Sequence, residues 1–310
     1  MSRLRLTGLL AVAAASVSAQ AMAAGETAGA LGAMNQRSFT GAWHRPAAGG
    51  QGIQLEIYPD AVAPGVALVQ GGWVTYSLRG FWDYEDTLGP RWYTFRGALP
   101  AGQTTAALTI YANVGGNFDA PPVTNPTPEG TGKLTLDDCT SITFDYALPR
   151  VGFMGTIPLE RLLPDVGCSE SSLAVSDGDF ALSGNWFDPE MAGQGVWVEV
   201  NPRARQVFLV WYTYAPRGEG RGYDGQRWYV GVGGYPTSGG RDFALTFYET
   251  TDGLFDSDGT PVINRVGTGA LSLADCAATL AFDFRAKTNA GRFGSIALSR
   301  VGGAPAECRH

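Results

Sequence analysis

The sequence predicts an all-β protein of two tandem antiparallel eight-stranded up-and-down β-barrels, with two β-sandwiches as the alternative use of the same strands. Three observations lead there. The 310-residue chain is rich in Gly (43), Pro (18), Trp (8) and Tyr (12), and only 16% of it is charged. Long amphipathic helical periodicity is hard to find beyond the N-terminal stretch. A set of phrases is also written twice, in the same order, with short alternating apolar segments between them.

The opening phrase of the repeat is "GAWHRPAAGGQG" (Gly41 to Gly52), answered by "GNWFDPEMAGQG" (Gly184 to Gly195). "WVTY" from Trp73 matches "WYTY" from Trp211, and "RWY" from Arg91 recurs at Arg227. "GGNFDAPPV" from Gly115 pairs with "DGLFDSDGTPV" from Asp252, and "GTGKLTLDDC" from Gly130 with "GTGALSLADC" from Gly267. "FDY" at Phe144 matches "FDF" at Phe282, and "GTIPLERL" from Gly155 matches "GSIALSRV" from Gly294. The expected organisation is a signal peptide over 1–24, a flexible segment over 25–36, barrel repeat 1 over 37–168, a linker over 169–179 and barrel repeat 2 over 180–310.

In the first copy, eight segments bounded by Gly, Pro, Asn or Asp read as strands: 38–45, 51–59, 65–78, 90–99, 104–112, 130–138, 140–148 and 155–163. Ile53, Leu55 and Ile57 alternate with Gln54 and Glu56, and Val196, Val198 and Val200 alternate with Trp197 and Glu199. No helix-length crossover separates neighbours, so they are expected to pair antiparallel. The Gly-rich ends of the opening phrases, Gly49–Gly52 and Gly193–Gly195, are expected to turn the first strand into the second.

The N-terminus has the form of an export signal: Arg3 and Arg5, the apolar run "LTGLLAVAAASVSA", then small residues suited to cleavage after Ala21 or Ala23. That run is shorter than the roughly 20 residues that span a bilayer, and no later stretch is longer, so no membrane span is expected. Losing the leader removes two Arg and no acid, taking the formal charge from −7 to about −9. Such an acidic surface argues against nucleic acid as a partner. Four cysteines in an exported chain suggest disulfides, and the repeat favours pairing within each copy, Cys139–Cys168 and Cys276–Cys308.

Gly41 and Trp43 with Arg161, and Gly184 and Trp186 with Arg300, resemble the barrel-closing pair of the lipocalin and avidin superfamily. There an Arg on the last strand lies across a Trp on the first, a favourable cation–π contact. Over nearly the whole of residues 37–308, the phrases G-x-W-[FY]-x-P…G-Q-G, W-[FY]-T-Y, R-W-Y and G-T-G-x-L-x-[FL]-x-x-C resemble a repeat module of exported Gram-negative bacterial proteins, an uncharacterised family. His44 departs from it, standing where an aromatic is usual. The resemblance implies export and modularity; the module also occurs appended to secreted proteases.

Chemistry is sparse. The histidines are His44 and His310, the cysteines are accounted for as disulfides, and neither a nucleophile elbow nor a phosphate-binding loop is present. No cofactor and no metal is expected; "DSDGT" (Asp256 to Thr260) resembles a calcium loop but lacks its closing Glu. The catalytic candidates are carboxylates present in both copies, Glu56 with Asp145 and Glu199 with Asp283, which would serve a glycosidase if each pair faced one cavity. Asp119, Asp256, Asp138 and Asp275 read as loop and turn residues. The ligand-binding candidates are aromatic: Trp73, Tyr76, Trp92, Tyr93, Trp197, Trp211, Tyr214, Trp228 and Tyr229, with Trp82 and Tyr223 beside them. Trp73 and Val74 point to opposite faces of their strand, so one aromatic face either leaves the core or lines a cavity.

The expected function is a non-catalytic exported binding protein, periplasmic or secreted, with two similar sites for an envelope glycan, a small planar ligand or a protein partner. The alternatives are a secreted glycan hydrolase using the repeated carboxylate pair, and, from the resemblance, an inhibitor or accessory partner of a secreted protease.

Overall fold

The computed structural model describes residues 36–77, 89–168, 179–220, 222–237, 239–274, 277–285 and 292–301. The expected signal peptide, all but residue 36 of the flexible segment, all but residue 179 of the 169–179 linker, Trp82, Asp275, His310 and the Cys276–Cys308 pair lie outside the described residues.

The first barrel runs β1 (Gly41–His44), β2 (Gly52–Ala63), β3 (Val66–Tyr76), β4 (Pro90–Pro100), β5 (Thr105–Ala112), β6 (Thr127–Leu136), β7 (Ser141–Leu148) and β8 (Phe153–Arg161). The second runs β9 (Gly184–Phe187), β10 (Gly195–Asn201), β11 (Gln206–Tyr214), β12 (Gln226–Gly234), β13 (Asp242–Thr251), β14 (Val262–Ala274), β15 (Ala277–Asp283) and β16 (Phe293–Arg300). Each strand pairs antiparallel with the next and the last returns to the first, closing both barrels. Ser38 and Phe39, expected in the first strand, instead sit in a 3-10 helix over Gln36–Phe39. That helix has a purpose: the Phe39 carbonyl accepts the Trp43 indole N–H at 3.1 Å.

Closure depends on the Arg–Trp pair in each barrel. Trp43 is the register partner of Arg161, and Trp186 of Arg300. The guanidinium carbons stand 4.3 Å and 5.2 Å from the two ring centroids. Arg161 also donates to the carbonyls of Ser38, Thr40 and Cys139, and Arg300 to those of Leu182 and Ser183. One side chain thus fastens the first and last strands and the incoming chain. The Cys139–Cys168 disulfide ties the β6–β7 turn to the segment after β8, with Cα atoms 5.6 Å apart.

Burial shows how the barrels meet. Along β7 buried and half-buried residues alternate, as expected of a sheet with one face in water. The first seven residues of β2 are buried on both faces, as are nearly all of β10 and β11. Ile53, Leu55 and Ile57 fill the first barrel, while Ala42, Val74, Tyr76 and Trp92 join Trp197, Val210, Tyr212 and Tyr214 in a third core between the barrels.

The docking is reciprocal. Phe118, from the β5–β6 loop of the first barrel, inserts into the second barrel's core, 5.1 Å from Trp211 and 5.7 Å from Phe282. Phe255, from the β13–β14 loop, inserts into the first, 5.3 Å from Trp73 and 5.7 Å from Tyr146. The glutamines of the two Gly-Gln-Gly phrases hold these loops. Gln51 donates to the Ser257 carbonyl and accepts from the Asp256 amide, and Gln194 donates to the carbonyls of Asn117 and Ala120. The tip glycines match: a Cβ on Gly116 would strike the Tyr214 ring and one on Gly253 the Tyr76 ring.

Phe118→Ala empties a buried site in the barrel to which Phe118 does not belong. The expected cost is about 3–5 kcal/mol in urea unfolding, with Phe255→Ala behaving alike. A loss under 1 kcal/mol for either would show the plug to be superficial.

Candidate functional site

The four catalytic candidates do not form pairs around a cavity. Glu56 and Glu199 are both 0% exposed and lie at the seam between the barrels. Glu56 forms an ion pair with Arg300 and accepts from the Asn185 backbone N–H at 2.6 Å, the Asn185 amide at 3.0 Å and the Tyr58 hydroxyl at 2.6 Å. Glu199 makes the reverse crossing, accepting from the Ala42 N–H at 2.9 Å and from Asn201 at 3.0 Å. Burial raises the Glu199 carboxyl above its usual range; the nearby Arg161 guanidinium and the two hydrogen bonds act against that rise. The seam is tight, because a Cβ on Gly184, already at φ +136°, would overlap the Glu56 carboxylate.

Asp145 is elsewhere, on the outer face of β7, bound to Lys133 at 2.9 Å and Thr156 at 2.7 Å, and Asp283 pairs with Arg285. The glycosidase pairing therefore fails on geometry: one member of each pair is sealed between barrels and the other is a surface residue with its own partners. Asp256 and Asp258, in the calcium-like loop, both bind Arg45, at 3.0 Å and 2.6 Å. Asp138 accepts from the backbone amides of Thr140 and Ser141, as a turn residue should.

The aromatic candidates are divided among three packed cores. Trp73 and Tyr93 lie inside the first barrel and Trp211 and Tyr229 inside the second. Tyr76, Trp92, Trp197, Tyr214 and Trp228 pack between them. The second aromatic face of the strand is indeed outside the barrel, but the other barrel covers it. Trp92 is held by its indole N–H to the Thr213 carbonyl, and its ring lies tilted against Tyr212 with centroids 5.5 Å apart. Gln226 brackets it by accepting from its backbone N–H and donating to its carbonyl. Tyr223 stands 6.4 Å from Tyr93.

Two grooves flank the seam, built from equivalent positions of the two copies. In one, Phe208, Val210, Trp228, Val230 and Val232 face Ala42–His44 and Gly50–Gly52, leaving about 100 Å³. In the other, the corresponding positions are Gln70, Gly72, Trp92, Thr94 and Arg96, facing Asn185–Phe187 and Gly193–Gly195, and the space is about 360 Å³. The polar set replaces side chains that fill the first groove. The two equivalent grooves thus differ in size, about 360 Å³ against about 100 Å³. His44 borders the smaller; burial lowers its pKa, against an opposing pull from Glu160. Sequence reasoning passed over Gln70 and Arg96, whose only signal was divergence between copies, and Tyr111, which recurs as Tyr248 and gave no such signal.

A second asymmetry is electrostatic. Arg45 of the first copy pairs with Asp256, which also accepts from Tyr146 at 2.7 Å. In the mirrored contact Arg45 is replaced by Asp188 and Tyr146 by Phe284, so Asp119 meets a like charge. Burial first, and Asp188 second, push its carboxyl up to about 6, and its Oδ1 is buried without a hydrogen bond.

A carboxyl raised in the folded state stabilises that state fully below its unfolded pKa, and the contribution is lost as pH rises through about 6. Asp188→Arg, restoring the Arg45-type pairing, is therefore expected to raise Tm at pH 7.5 by about 2–4 °C, with little gain at pH 4.5; an equal change at both pH values would refute the like-charge account. Glu56→Ala strands a buried Arg300 and should cost about 3–5 kcal/mol in urea unfolding, whereas a cost under 1 kcal/mol would mean that the crossing contact does not hold the barrels. A scan against protein-family models and searches of curated proteins and of solved structures found no match to the chain.

Proposed function

We propose that the protein is a non-catalytic binding protein whose ligand occupies the wider groove between β3–β5 of the first barrel and β9 with the 193–195 turn of the second. The observation that carries this is the unequal filling of two equivalent grooves. Packing alone would favour the Phe208, Val230 and Val232 solution in both. Gln70, Thr94 and Arg96 instead leave about 360 Å³, within the roughly 300–1,000 Å³ usual for small-molecule sites. Barrel interiors are poor rivals, because Trp73, Phe95 and Phe144 in one and Trp211, Phe247 and Phe282 in the other fill them. The hydrolase alternative loses support with its carboxylates already engaged.

Export of the chain, to periplasm or medium, is supported by the Arg3–Ala23 leader pattern and by the Cys139–Cys168 disulfide, a bond that persists in oxidising compartments.

A thermal-shift panel of envelope glycans, peptidoglycan fragments and small planar ligands tests the reading, run on the wild type and on Gln70→Phe, which copies the filled groove. A ligand at 100 times its Kd stabilises by about 2.7 kcal/mol. The expected result is a shift in the wild type that disappears in Gln70→Phe. The same shift in both proteins would place the ligand elsewhere and overturn the groove.

A further inference from the structure

Resting on that reading, we infer that the groove takes an acidic saccharide, with Arg96 holding a sugar carboxylate. Arg96 is the one charged side chain among the residues lining the groove, and it is exposed. Its guanidinium, the Gln70 amide and the Tyr111 hydroxyl have no hydrogen-bond or ion-pair partner among the described residues, while Thr94 receives a bond from Asn113 at 3.0 Å and keeps its own proton to donate.

Register sets their spacing. Gln70 is directly opposite Arg96, and Thr94 opposite Tyr111, on adjacent strands about 4.8 Å apart. Thr94 and Arg96 are two residues apart on β4 and share its outer face. Four polar groups thus form a small grid of donors and acceptors, which suits ring hydroxyls more than a flat hydrocarbon. Among the aromatics lining the groove, Trp92 and Trp186 are only 1% exposed and Tyr111 and Phe187 are half-buried, while the polar grid supplies the directional contacts. An extended peptide would need a free strand edge, and closed barrels have none.

One guanidinium matches one carboxylate through a two-pronged hydrogen bond. A phosphate dianion would meet half the charge it needs. The acidic character of the remaining surface does not prevent this, because charges beyond about 8 Å are largely screened at physiological salt.

Titration calorimetry of the full chain with trigalacturonate and with galactotriose, in wild type, Arg96→Gln and Gln70→Phe, decides the matter. The expected result is that wild type binds trigalacturonate at least tenfold more tightly than galactotriose. Arg96→Gln should remove that preference and Gln70→Phe should abolish both. Equal binding of the two sugars by wild type would overturn the acidic class while leaving the groove in place. Trigalacturonate binding untouched by Gln70→Phe would overturn the groove itself. If neither sugar binds, the saccharide assignment fails; the groove then stands or falls by the planar and peptidoglycan arms of the thermal-shift panel.

Discussion

Two buried carboxylates that cross between barrels hold the structure in its observed form. Glu56 leaves the first barrel to reach Arg300 and Asn185 at the closure of the second, and Glu199 leaves the second to reach Ala42 at the closure of the first. Removing such groups from water costs several kcal/mol each, so they are tolerable only when every oxygen finds a donor. Each barrel supplies donors for the other's acid. The seam consequently sits where both barrels close, and the same Arg side chains that lie over Trp43 and Trp186 help to neutralise it. The Phe118 and Phe255 plugs then bring the loops into the opposing cores. Two modules behave as one body for these reasons, and the grooves beside the seam are a by-product of it.

Much of each barrel was legible in the sequence because period-two alternation and turn residues are local signals. The Arg161–Trp43 and Arg300–Trp186 closures were also legible, as was the Cys139–Cys168 bridge, since each falls within a single copy. The failures share one physical cause. Alternation shows which residues leave the barrel but not what covers them outside. Gln54, Glu56 and Trp197 fall on the face opposite the apolar one of their strands, and in each case the opposing barrel buries them completely or nearly so. Glu56 and Asp145 looked like a pair because both recur, yet one is a seam residue and the other a surface residue. The Gly-Gln-Gly phrase recurs for a reason no single copy displays: its Gln grips a loop of the other copy.

The candidate site was legible only as a difference between copies. Some interface positions keep matched residues, Trp92 with Trp228 and Tyr76 with Tyr214, while others differ, Gln54 with Trp197 and Val74 with Tyr212. Gln70 in place of Phe208 and Arg96 in place of Val232 leave polar side chains where the second copy packs apolar ones into the third core. A duplicated scaffold can close one groove for stability and leave its twin open for a ligand. The like charges at Asp119 and Asp188, where the other plug has the Arg45–Asp256 ion pair, are a second departure of this kind.

The central claim is that the two barrels form one cooperative unit, and scanning calorimetry of the oxidised full chain tests it most directly. Reciprocal plugs and crossing carboxylates predict one transition whose calorimetric and van't Hoff enthalpies agree for the whole chain. Two resolved transitions, each accounting for about half the total enthalpy, would contradict it and return the barrels to independent beads.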